Sequence, residues 1–170
     1  LNFFYLDEDP VKCAECMVDK HVVKMILEHC QLLSTTQHMF NIEPLYKPTH
    51  VNHPCAIWCR ESLSNYKLLI EFTHAICKEY TFRYKKTHAC ESILYFCEHQ
   101  VPDIPDVGLT PIRLAMPDYC KIGNAVDSYR EYYRKEKAHI ADWKNRKNRN
   151  GGFGEIEITF LRIFRPNFIE

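Results

Sequence analysis

Residues 19–31 read DKHVVKMILEHCQ, and the spacing within this stretch decides how the rest of the chain is read. On a helical period Val18, Val22, Ile26, Cys30 and Leu33 share one face. Lys20, Lys24, Glu28 and Gln31 share another, as stacked neighbours one turn apart. Two cations, a carboxylate and an amide in one row have two readings. The row is a solvated face with i,i+4 pairs, or it is a reactive amine held beside an acid. The second reading needs cover from elsewhere in the chain. A lysine becomes a useful nucleophile when desolvation or a neighbouring cation lowers its pKa. Lys20 and Lys24 are spaced to depress each other, and Glu28 is spaced to move protons or balance positive charge.

Outward from this row the signals are mostly helical. Asp9 before Pro10 is a helix start, a capping carboxylate followed by proline at the first helical position. A helix is expected from Pro10 to about Gln37, broken near Val18 and Asp19. Residues 41–53 carry Pro44 and Pro48 without periodicity and read as a loop. Pro54 opens a second helix, with Ile57, Trp58 and Leu63 inward. Ser64 or Asn65 caps a longer one through Tyr66, Leu69, Phe72, Ile76 and Tyr80. A shorter helix follows from Cys90 to His99. Residues 100–117 hold Pro102, Pro105, Pro111 and Pro117 and read as a long loop. Asn124 or Asp127 caps a final basic helix to about residue 147. Strand signals are confined to the two ends: NFFYL at 2–6, a strand or an extended lead-in, and the alternating EIEITFLRIF at 155–164, the one clear strand signal. The expected fold is therefore mainly α, a single compact helical domain over 1–170 with minor β at its ends. Its helical core spans about 9–99.

Composition narrows the functional classes. The chain has 170 residues, enough for one domain with a real core, and no apolar run long enough to span a bilayer. No basic leader followed by an apolar segment stands at the start, although the first residue is Leu1 rather than Met. Five glycines argue against a Rossmann domain. Nine cysteines, an odd number with one C-x-x-C at Cys13 and Cys16, read as free buried thiols of a reducing cytoplasm rather than as a zinc site. The net charge is +0, yet residues 130–149 are strongly basic, and such a stripe can bind phosphates.

Three further constellations carry chemistry. His50, Asn52 and His53 precede Pro54; the pair of imidazoles suits a metal, or loop backbone, and Asn52 with His53 suits a phosphate or base at a helix start. Arg60, Arg83, Lys85 and Lys86 are either phosphate contacts or, for Arg83 one turn after Glu79, a structural ion pair. Tyr133, Lys144 and Arg146 belong to a tract mixing aromatics and cations, which suits nucleic acid or an amphipathic helix with its rings in the core.

The order of these residues resembles the pyrimidine dimer DNA glycosylase (endonuclease V-like) superfamily, above all its uncharacterised bacterial branch and small tailed-phage proteins. That branch has D-K-x-x-x-K-x-x-x-E-x-x-Q-x-L, then N-H-P-x-x-x-W, then E-W/Y-x-x-R-G-Y. The positions that match are Asp19, Lys20, Lys24, Glu28, Gln31, Leu33, Asn52, His53, Pro54, Trp58, Glu79, Tyr80, Arg83 and Tyr84, within residues 7–88. Tyr84 follows Arg83 directly where the family has an intervening glycine, and the N-terminal threonine of the best-studied member is absent. The resemblance implies a helical DNA-binding protein, a glycosylase with strand-cleaving lyase activity that needs no cofactor or metal and works in the cytoplasm, the host's if the protein is viral. Lys20 or the chain's α-amine is the expected nucleophile, with Lys24 and Glu28 beside it. Gln31, Asn52, His53, Arg60, Arg83, Lys85, Lys86, Tyr133, Lys144 and Arg146 are the expected substrate contacts. The rival readings are a non-enzymatic nucleic-acid-binding accessory protein and a metal-dependent phosphoester enzyme built on His50, His53 and Glu28, with His21 as a further candidate.

Overall fold

A computed structural model describes residues 1–146 and 163–164. Two long helices make the frame, α2 (Asp19–Met39) and α4 (Leu63–Tyr84), packed against each other. Helix α1 (Pro10–Cys16) lies on α4, α3 (Pro54–Glu61) on both long helices, and α5 (Glu91–His99) across them. A shorter α6 (Ala125–Tyr132) follows the proline-rich loop.

Local chemistry sets these boundaries. The Asp9 carboxylate accepts from the backbone N–H groups of Val11 and Lys12, and Pro10 begins α1. The last carbonyls of α1 lack i+4 partners, and among the described residues only that of Ala14 is met by a backbone group, the Met17 N–H at 3.2 Å. Arg83 takes those of Ala14, Glu15 and Met17, and the Trp143 indole takes that of Cys16. The corner between α1 and α2 is thus closed by side chains far away in sequence. At the end of α4, Lys85 adopts the left-handed conformation (φ 56°), its N–H donating to the carbonyl of Thr81. A lysine fills the left-handed position that glycine usually takes at a helix end.

Residues 1–6 pair with no strand, and the Leu6 N–H turns back onto the carbonyl of Phe4 at 3.1 Å. Alternation sends Phe3 and Phe4 to opposite sides. Phe3 packs edge-on against Phe72 and His29 and lies against Trp58, while Phe4 stacks on His21 and meets Tyr129 and Tyr133. The backbone is satisfied by side chains: Cys13 donates to the carbonyl of Phe4, and Arg130 to that of Leu6. The expected N-terminal strand is therefore a core-threading segment, and no strand occurs among the described residues. The C-terminal strand expected at 155–164 lies mostly outside them; Ile163 and Phe164 are helical.

The basic helix ends earlier than its composition suggests. Asn124 caps α6 as expected, but after Tyr132 the backbone widens to a π-helical turn over Tyr133–Lys137, then a 3-10 turn over Ala138–Ile140. A straight helix from 125 to 147 would be about 33 Å long. It would carry Trp143 and Arg146 away from Cys16 and Glu79, which they meet here.

Candidate active site

The α2 row faces cover at one position. Glu28 is 7% exposed, and two nitrogens flank its carboxylate: Lys24 Nζ lies 3.3 Å from Oε1, and the Leu1 nitrogen 3.9 Å from Oε2. Asn2 fixes Leu1 there. Its Oδ1 accepts from the Phe3 N–H and the Tyr129 hydroxyl, and its Nδ2 donates to the carbonyl of Ala115. Phe3, driven into the core by burial, holds the other side.

The 50–53 loop closes on the same place. His53 caps α3, its Nδ1 accepting from the Cys55 N–H, so the neutral ring carries its proton on Nε2. Burial lowers the His53 pKa; the nearby Leu1 nitrogen and His50 ring act in the same direction, against the opposing pull of Glu28. Arg60 donates to the carbonyl of Val51 at 2.7 Å and so holds this loop. Asn52 is exposed just before His53, and Gln31 is half-buried one turn beyond Glu28.

Other expected site residues lie elsewhere. Lys20 is exposed two turns before Glu28, about 12 Å along the helix. Arg83 is 0% exposed, and its five N–H donors go to Glu79, Asp19 and three α1 carbonyls. Nothing is left for a phosphate, so the ion-pair reading of Glu79 and Arg83 describes it. Arg146 binds both oxygens of Glu79, at 2.7 and 2.6 Å. The two arginines hold the Glu79 carboxyl below the usual range against the opposing effect of burial. Tyr133 is enclosed and bonded to His21 Nδ1 at 2.6 Å, a core residue rather than a stacking platform. Lys85, Lys86 and Lys144 are exposed at the end of α4.

Sequence reasoning passed over the buried His29 and considered His21 only as a metal ligand. His29, next to Glu28, bonds Thr73 Oγ1 through Nδ1, while its Nε2 has no partner among the described residues. Burial pushes both His21 and His29 down to about 3. Their sites on the inward side of α2 could have been read from the same periodicity that placed Val22 and Ile26. Among the described residues no three His, Cys, Asp or Glu side chains group as a metal site. No described helix is long and apolar enough to cross a membrane.

Fold and site together define a class: a helical protein presenting an almost enclosed carboxylate, with the Lys24 amine and the Leu1 nitrogen at its two oxygens, beside a neutral imidazole. The family model described as pyrimidine dimer DNA glycosylase matches residues 1–92, just over half of the chain, and the chain belongs to that family. Comparison with curated proteins and with solved structures gives no match. The matched segment holds Leu1, Lys24, Glu28 and His53; α6 and the 143–146 turn lie beyond it.

Proposed function

We propose that the protein is a DNA glycosylase with lyase activity, in which an amine beside Glu28 attacks a damaged nucleotide. The supporting observation is the Glu28 carboxylate with nitrogens 3.3 and 3.9 Å from its two oxygens. In a chain that begins at Leu1, the second of these is a primary amine. It is the favoured nucleophile over Lys24, whose side chain is 67% exposed and so lacks desolvation, and over the more distant Lys20.

The amine forms a bond to C1′ of the deoxyribose as the C1′–base bond breaks. The base leaves with the bonding electron pair and takes up a proton, and the amine nitrogen loses one. Opening of the sugar ring then gives a Schiff base. Glu28 balances the positive charge growing over C1′ and the ring oxygen, in a site where little water screens it. His53, with its proton on Nε2, offers a donor to the sugar or its phosphate. The target nucleotide has to leave the stack, which costs least where pairing is already damaged.

Borohydride trapping on duplexes containing an abasic site or a pyrimidine dimer tests this. Wild type is expected to form a covalent adduct, Glu28→Gln to lose it by about 100-fold or more, and Lys24→Ala to retain it. Blocking the α-amine is expected to abolish it. Wild type that binds such duplexes without an adduct is a binding protein, and the catalytic reading is then withdrawn.

A further inference from the structure

A second basic feature lies beyond Glu28, where the end of α4 meets the start of α2. Residues 143–146 are clamped to this junction. Trp143 donates to the carbonyl of Cys16, Asn145 Nδ2 to that of Arg83 at 2.8 Å, and Arg146 to Glu79. The Lys144 N–H donates to both oxygens of Asp19, at 2.9 and 3.0 Å. Three of the four side chains form the clamp; the ammonium of the fourth is set over the Tyr84 ring at 5.1 Å.

Around it stand Lys85, whose ammonium lies 4.7 Å from the Phe82 ring centroid, then Lys86, and Lys20 next to Asp19. All four lysines are exposed, and none has a carboxylate partner among the described residues. The nearest acids are committed elsewhere: Asp19 to Arg83, Glu79 to Arg83 and Arg146, Glu15 to Arg146. The exposed Asp142, with one oxygen on the Trp143 N–H, leaves the junction net positive. Lys85 and Lys86 also complement the carbonyl end of α4, but that role does not account for Lys20 or Lys144, which stand at the positive end of α2.

We infer that Lys20, Lys85, Lys86 and Lys144 bind the backbone phosphates of the DNA strand beyond the target nucleotide. The inference rests on the reading of the Glu28 site given above, and it adds a direction. Glu28 and Lys20 are about 12 Å apart along α2. With α2 laid along the duplex axis, at about 3.4 Å of axis per nucleotide, the junction meets the strand three to four nucleotides from the one at Glu28. Phe82 and Tyr84 lie between the cations as apolar surface for the sugars. Lys144 lies outside the family match, so this contact belongs to this chain's own C-terminal part.

Equilibrium binding to an undamaged duplex, followed by anisotropy across a salt series, tests the inference without any chemistry. The triple variant Lys85→Gly, Lys86→Gln, Lys144→Gln is expected to bind at least tenfold more weakly at about 0.15 M salt. Its slope of log K against log salt should shrink by about 2 to 3, roughly 0.9 for each phosphate no longer neutralised. Glycine suits position 85, whose φ is 56°, so the fold is retained, and circular dichroism checks this. Lys67→Gln with Lys78→Gln, on another face of α4, is expected to keep the wild-type slope. An unchanged slope in the folded triple variant overturns the inference and leaves the Glu28 chemistry untouched; a missing adduct overturns that chemistry and leaves the slope untouched.

Discussion

Arg83 Nε donates to Glu79 Oε1 over 2.8 Å, one turn apart on α4, and both side chains are buried. The same guanidinium closes the end of α1 and meets Asp19 at the start of α2. One residue therefore joins three helices. Arg83→Met strips three carbonyls of their donor and leaves Glu79 with Arg146 alone. Urea unfolding should show a loss of about 3–5 kcal/mol. The salt slope for DNA, measured on the folded fraction, should not change. A variant of native stability whose slope drops by about one would restore Arg83 as a phosphate contact.

Stability should fall as pH drops from about 6.5. His21 and His29 are held neutral in the fold, with pKa values lowered from 6.5 to about 3. Between those values the unfolded chain binds more protons than the native protein, so acid favours unfolding. Each histidine contributes a slope of up to about 1.4 kcal/mol per pH unit, roughly 2 kcal/mol by pH 5. The window from 6.5 to 5 lies above the range in which carboxylates titrate. His29→Gln should remove about half of the slope there, and a flat wild-type profile would contradict the burial assigned to both rings.

Asn65 should govern the order of the proline-rich loop. Its amide donates to the carbonyl of Trp58 and to Thr110 Oγ1, and accepts from the Thr110 N–H. Asn65→Leu removes all three bonds inside the protein at a cost of about 2–3 kcal/mol. Trypsin should then cut at the exposed Arg113 at least tenfold faster than in wild type. Equal rates would mean that the loop is held by other contacts.

All nine cysteines are free and buried. Burial raises the thiols of Cys13 and Cys59 to about 12, so little thiolate exists near neutrality. Ellman's reagent at pH 8 should find almost no reactive thiol in the native protein and nine after guanidinium denaturation. Fewer than nine under denaturing, non-reducing conditions would reveal a disulfide.

The helical frame was legible because its signals are local. Asp9 and Pro10, Pro54, and the 3.6-residue spacing of Val22, Ile26 and Leu33 each act within a turn or two. What escaped depends on distant partners. The NFFYL segment has the composition of a strand, but its backbone bonds go to Cys13 and Arg130 side chains, which no local pattern reveals. The tract after Tyr132 has good helical propensity, yet the pull of Cys16 and Glu79 on Trp143 and Arg146 bends it off course. At the candidate site, the Lys24–Glu28 spacing was readable. The approach of Leu1 was not, since it follows from where Asn2 and Phe3 are anchored. Arg83 and Tyr133 stayed open between a surface and a buried reading because charge and hydroxyl groups favour water unless every donor and acceptor is matched, and here those of Arg83 are.

The threading of residues 2–6 through the core fixes what borders the carboxylate at its exit. Whatever is joined to the Leu1 nitrogen has to emerge alongside Glu28, since Asn2 and Phe3 allow no other route. On the function proposed above, an upstream extension would start in the opening through which a nucleotide reaches Glu28. On that same reading, a tag joined there is expected to block the borohydride adduct while circular dichroism stays native, and cleaving it off to restore the adduct.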